Sequence, residues 1–153
     1  MGALIVQKVY PHYSDGSSMI LGDELEVSYP DILPIFHRGL IYRFVEGPWG
    51  ITGVQIIRNS KRLRGVCIVS WDEFSQGQQV CLRRRPASPE HASLILKRAE
   101  GLLQHPYDLL SANCEHFTDI CYNGIRGESL TLQKGLVIGL GIVALLTLPG
   151  DQG

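Results

Sequence analysis

The sequence predicts an α+β fold in which an antiparallel sheet packs on helices. Two observations support this class. Short apolar stretches separated by turn residues occupy the chain from about residue 25 to residue 82, and their short links favour antiparallel pairing. Two helical patterns follow. A run of strands followed by helices is the order expected of an α+β domain.

The strands are predicted from alternation and from apolar runs. Leu25 and Val27 alternate with glutamates, as in a strand with one buried face. A polar exit, meaning a polar segment in which the chain leaves the strand before it, is expected at residues 58–62. Residues 71–74 are expected to form a single helical turn. The remaining strands are predicted at residues 37–45, 54–57, 65–70 and 79–82, with a loop at residues 46–50.

Two helices are predicted from their caps and spacing. Ser88 is an N-cap and Pro89 takes the first helical position. The apolar face of this helix comprises Ala92, Ile95, Leu96, Ala99, Leu102 and Leu103. The second helix is expected to begin after Asn113, an N-cap residue, and to end at Gly124.

Composition indicates one globular domain, predicted over residues 1–130. The chain has 153 residues, of which 44% are hydrophobic and 19% charged, with a net charge of −1. This balance does not predict nucleic-acid binding, and the arginines at residues 83–85 are expected to be a solvated strand end. The four cysteines lack metal-site spacing, so no metal or cofactor is expected. Without a secretory signal, a cytoplasmic domain with reduced thiols is expected.

A different kind of segment follows the domain. Residues 135–150 carry no charge and are apolar on every side. As a helix they would span about 24 Å, less than the roughly 30 Å hydrocarbon core of a bilayer. A buried hairpin or core helix is therefore an alternative. The glycines and the nearly terminal position favour a membrane tail, so association with a membrane through this segment is predicted.

Cys114 is a candidate nucleophile. It would lie in the first turn of the second predicted helix, where unpaired backbone N–H groups and the positive end of the helix dipole stabilise a thiolate. The alternative is a small buried residue, because free cysteines are often buried.

Three segments carry a resemblance. Residues 113–117 read Asn-Cys-Glu-His-Phe and follow Tyr-Asp-Leu-Leu at residues 107–110. Residues 22–27 look like an opening strand and residues 37–42 like a histidine strand. Together they resemble the lecithin:retinol acyltransferase-like family of thiol acyltransferases and phospholipases. The resemblance implies a permuted papain-like fold of the NlpC type and acyl-transfer chemistry at the cysteine.

A cysteine nucleophile needs a histidine as general base. His116 follows Cys114 by two positions, about 200° around a helix, and cannot readily face it. The resemblance places the family's base at His37. In the family a second histidine at the end of the next strand orients the first, and Arg58 stands at that position here. Asn59 has an amide oxygen that could accept the ring N–H of His37, so Asn59 is the predicted third member.

The residues and the resemblance together predict a thiol-dependent acyltransferase or hydrolase. Cys114 would attack an ester or amide carbonyl, and His37 would move the proton. If residues 135–150 hold the domain at a bilayer, a phospholipid is an expected substrate. Two alternatives are a cysteine amidase or peptidase, and a non-catalytic interaction module whose site is degenerate at Arg58.

Overall fold

The computed structural model describes residues 10–29, 35–103 and 114–124, and for Tyr29, Ile35, Cys114 and Glu115 it describes the backbone alone. The predicted tail, residues 135–150, lies outside the described residues. Within them, no helix is long and apolar enough to cross a membrane. The elements in chain order are β1 (Glu24–Tyr29), β2 (Ile35–Gly47), β3 (Gly50–Ser60), β4 (Gly65–Ser70), α1 (Trp71–Ser75), β5 (Val80–Arg84), α2 (Pro89–Gly101) and α3 (Cys114–Asn123).

The five strands form one antiparallel sheet in the order β4-β3-β2-β1-β5. This confirms the predicted α+β class with an antiparallel sheet. The two helices are confirmed as well: the Ser88 hydroxyl accepts the N–H of His91, and Pro89 opens α2. The predicted N-cap of the second helix, Asn113, lies outside the described residues. Gly124 has a φ of 76° and its N–H bonds to the Ile120 carbonyl, so it ends α3 as predicted.

Helices and loops cover the two faces of the sheet, and the register assigns each side chain to one of them. Leu40 pairs with Ile57, and both pack against Phe117 of α3 together with α2; we call this side the α2–α3 face. Ile41 pairs with Ile56, and both pack with Phe74 of α1; we call this side the α1 face. Neighbouring residues of a strand therefore belong to different cores.

The expected polar exit at residues 58–62 is wrong in its first three residues. β3 continues to Ser60, and Arg58, Asn59 and Ser60 are all buried. The reason is pairing with β4, where Arg58 lies opposite Cys67 and Asn59 opposite Val66. The predicted loop at residues 46–50 is also shorter, because β2 and β3 are separated only by residues 48 and 49.

The arginines at residues 83–85 lie at the end of β5 and are partly solvated, as predicted, but they also form ion pairs. Their guanidinium groups contact carboxylates of β1 and the residue before it: Arg83 with Glu26, Arg84 with Glu24, and Arg85 with Asp23. Glu24 is 1% exposed, although alternation predicted a solvent-facing residue.

Candidate catalytic site

Cys114 is the first residue of α3, as the sequence predicts, and the contacts of α3 fix the position of its backbone. The Thr118 hydroxyl donates to Glu24 at 2.6 Å. The Tyr122 hydroxyl donates to the Gly22 carbonyl at 2.8 Å, and burial raises the pKa of Tyr122. These two contacts make α3 antiparallel to β1. The N-terminus of α3 therefore points to the end of the sheet where β1 finishes and β2 begins.

His37 lies at the same end of the sheet, as the third residue of β2. It pairs with Val27 of β1, and alternation places it on the α1 face with Ile41. α3 covers the other face. The side chain of Cys114 lies outside the described part of the structure, and so does any contact between its thiol and the imidazole of His37.

Arg58 contacts the ring of His37. The register places both on the α1 face, and Nη2 of Arg58 donates to Nδ1 of His37 at 3.0 Å. A guanidinium only donates, so Nδ1 is the acceptor and the neutral ring carries its hydrogen on Nε2. Arg58 is itself 8% exposed, and its guanidinium carbon lies 5.7 Å from the centre of the Phe74 ring.

The environment of His37 favours a neutral ring. Partial burial lowers the pKa of His37, and the positive charge of Arg58 lowers this pKa further. As the pH falls, the ring of His37 therefore stays uncharged to a lower pH than the ring of an exposed histidine does. With Nδ1 bonded to Arg58, the ring has no lone pair ready to take a proton from a thiol.

Asn59 lies on the opposite face of the sheet from His37, because it is adjacent to Arg58 in β3. It is 2% exposed, and neither atom of its amide has a hydrogen-bond partner among the described residues. The contact with His37 that the sequence assigned to Asn59 is thus made by Arg58. The signal for this was the position of Arg58 in the family pattern together with strand alternation.

A cavity of about 410 Å³ opens beside His37 and Arg58. The turn after β3 and helix α1 supply its remaining walls, including Lys61, Arg62 and Glu73. Arg62 donates to Glu73 at 2.7 Å across this rim.

The other described histidines have different surroundings. His116 is exposed on α3. His91 links two helices: its Nδ1 accepts the Ala87 N–H at 3.1 Å, which leaves Nε2 to donate to the Tyr122 carbonyl at 3.2 Å. Within the described part of the chain no group of histidine, cysteine and carboxylate side chains could hold a metal ion.

This fold and site define a class of protein: an α+β domain in which a histidine lies on a central strand and a cysteine begins a helix. The sequence model described as lecithin retinol acyltransferase matches residues 50–127, which is half of the chain. The chain belongs to this family, whose chemistry is in general acyl transfer or hydrolysis. The matched range contains Arg58 and Cys114, and it begins after His37. A search among curated proteins finds no match.

Proposed function

We propose that this protein is a thiol-dependent acyltransferase or hydrolase in which Cys114 is the nucleophile. The observation that carries the proposal is the position of Cys114 at the start of α3, inside the matched family range. The free N–H groups of the first helical turn stabilise a thiolate, and the same groups can donate to the oxyanion that forms when a carbonyl is attacked.

The reaction follows in two steps. His37 takes the proton of the Cys114 thiol, and the thiolate forms a bond to the carbonyl carbon of an ester or amide. The alcohol or amine leaves with the proton from His37, and a thioester remains on Cys114. Water, an amine or a hydroxyl group then gives its proton to His37, attacks the thioester and releases the thiolate.

This sequence of steps requires Arg58 to release His37. The hydrogen bond at 3.0 Å occupies Nδ1, and Nε2 already carries a hydrogen. A proton can be accepted only after the guanidinium moves to another acceptor. It also requires the thiol to reach the imidazole around the end of β2, because α3 and His37 belong to opposite faces.

The order of the motifs supports a permuted papain-like fold as part of the proposal, since the histidine strand precedes the cysteine helix. A lipid acyl ester is the proposed substrate class, because the uncharged residues 135–150 would hold the domain at a membrane surface.

A second candidate function is a non-catalytic binding module. The contact between Arg58 and His37 favours it, because a guanidinium that never leaves Nδ1 keeps the histidine from acting as a base. The two candidates differ in what the Arg58→His variant does. It restores the family's residue, so an enzyme limited by Arg58 gains activity, whereas a binding module does not become an enzyme through one substitution.

The test is a screen of the full chain against phospholipids, acyl esters and peptides, with mass-spectrometric detection of an acyl adduct. We expect an acyl group on Cys114 and no turnover by Cys114→Ser, which has no thiolate. Cys81→Ser is the matched control, because Cys81 is an exposed thiol on β5. Equal turnover by the wild type and Cys114→Ser would exclude the proposal.

A further inference from the structure

Arg58 has no counter-ion among the described residues, unlike Arg38 and Arg84 of the same sheet. Arg38 contacts Glu26 at 2.9 Å, and Arg84 contacts Glu24 at 2.7 Å. Arg58 is 8% exposed, yet among the described residues it makes no ion pair. Its Nη2 donates to a neutral ring, and its buried Nε has no hydrogen-bond partner in the described part of the chain. A buried guanidinium without an anion is costly to the folded state, so Arg58 is suited to bind one.

The cavity beside Arg58 has the charge and the size for such an anion. Lys61 and Arg62 line it with Arg58, and Glu73 is the carboxylate among the described residues of its wall, so these residues carry two positive charges in excess. Glu73 is already bonded to Arg62 at 2.7 Å. The volume of about 410 Å³ is in the range of small-ligand sites and exceeds that of an inorganic oxyanion.

We infer that this cavity binds a phosphoryl group, held by the guanidinium of Arg58 and the ammonium of Lys61. A guanidinium offers parallel N–H donors that match two phosphoryl oxygens, and a lysine adds a mobile positive charge at the rim. The site therefore takes a free phosphate or a phosphate ester, and the spare volume suits the organic part of an ester.

Binding at this site would change His37. When the guanidinium turns towards a phosphoryl oxygen, it leaves Nδ1 of His37. The lone pair of Nδ1 is then available to accept a proton. This consequence rests on the proposed function, since it matters only if His37 is the base. The binding itself does not depend on Cys114, so Cys114→Ser should bind phosphate as the wild type does while losing turnover.

The experiment is calorimetric titration of the full chain with inorganic phosphate and with glycerol 3-phosphate, in a chloride buffer of fixed ionic strength. Saturable binding is expected, and Arg58→Met should weaken it by roughly 10- to 100-fold, the scale of a lost charge-assisted hydrogen bond. Arg64→Gln is the matched control. It removes an exposed charge from the same turn, outside the cavity, and should leave the affinity unchanged.

A second readout follows the ring nitrogens of His37 by NMR, where phosphate should shift the Nδ1 resonance in the wild type and not in Arg58→Met. If Arg58→Met does not fold, Lys61→Gln, a change at an exposed residue, takes its place in the titration. A clear loss of phosphate affinity in Lys61→Gln would support the site, and an unchanged affinity would overturn it. If glycerol 3-phosphate binds more tightly than inorganic phosphate, the ligand is a phosphate ester. If the two bind equally, the ligand is the free oxyanion. Unsaturable heats, or wild-type affinity in Arg58→Met, would overturn the inference.

Discussion

Replacing Arg58 with methionine should make the protein more stable in the absence of phosphate. Arg58 is 8% exposed, and among the described residues its guanidinium has no carboxylate partner and its Nε has no acceptor. Leaving one buried donor unsatisfied costs about 1–3 kcal/mol, and replacing buried ionic groups with apolar ones often stabilises a protein by about 1–4 kcal/mol. Methionine keeps much of the side-chain volume and can pack on the Phe74 ring, which lies 5.7 Å from the guanidinium carbon.

We therefore expect the free energy of unfolding to rise by about 1–3 kcal/mol. In a chain of 153 residues this is a Tm increase of about 2–12 °C. Urea denaturation of the full chain at neutral pH measures the free energy, with Arg62→Met as the control. Arg62 is paired with Glu73 and its side chain is 70% exposed, so its loss should change stability by less than about 1 kcal/mol.

The pH dependence gives the same prediction a second test. The folded pKa of His37 is lowered by burial and by Arg58, so the unfolded chain binds more protons and stability falls as the pH drops below about 6.5. Arg58→Met removes the second cause and leaves the first, so this loss should be smaller in the variant. A fall in stability of more than about 1 kcal/mol at neutral pH in Arg58→Met would refute the reasoning, because it would mean that the buried charge is compensated.

Three further predictions concern the base, the sheet and the tail. His37→Ala should slow acylation by roughly 10²- to 10⁴-fold in a stopped-flow assay, and His116→Ala should not. The reverse result would mean that His37 is not the base. Gly39→Ala should lower the free energy of unfolding by about 1–3 kcal/mol in urea, because its Cβ would lie 2.5 Å from Ile56 and 3.1 Å from Phe74; an unchanged midpoint would contradict this packing. Deleting residues 136–153 should turn a protein that pellets with membranes into a soluble one with the same Tm, whereas unfolding of the truncated chain would mean that the segment is core.

Local signals in the sequence were enough to predict the helices. Ser88 and Pro89 mark the start of α2, and Gly124 marks the end of α3, because caps act within a few residues. The continuation of β3 through Arg58 and Asn59 could not be predicted in the same way. Two polar residues are buried there because β4 pairs with them and because helices cover both faces of the sheet, whereas their polar character indicates an exposed turn.

The candidate site shows the same division. The helical position of Cys114 follows from neighbouring residues, and the strand position of His37 follows from its apolar neighbours. The choice between Arg58 and Asn59 depends on which face of β3 each side chain occupies. A shift of one residue reverses that choice, and the register that decides it is set by the pairing of Leu40 with Ile57.

The central claim is that Cys114 is a reactive thiolate, and the most direct measurement is its rate of alkylation by iodoacetamide in the full chain, followed by peptide mass spectrometry. Cys81 is an exposed reference, Cys121 is buried, and burial raises the pKa of Cys67. An ordinary thiol is only a few per cent ionised at neutral pH. We predict that Cys114 reacts roughly tenfold faster than Cys81 and keeps its rate as the pH falls from about 8 to 6. Alkylation of Cys114 no faster than that of Cys81, with the same decline towards acid pH, would contradict the account.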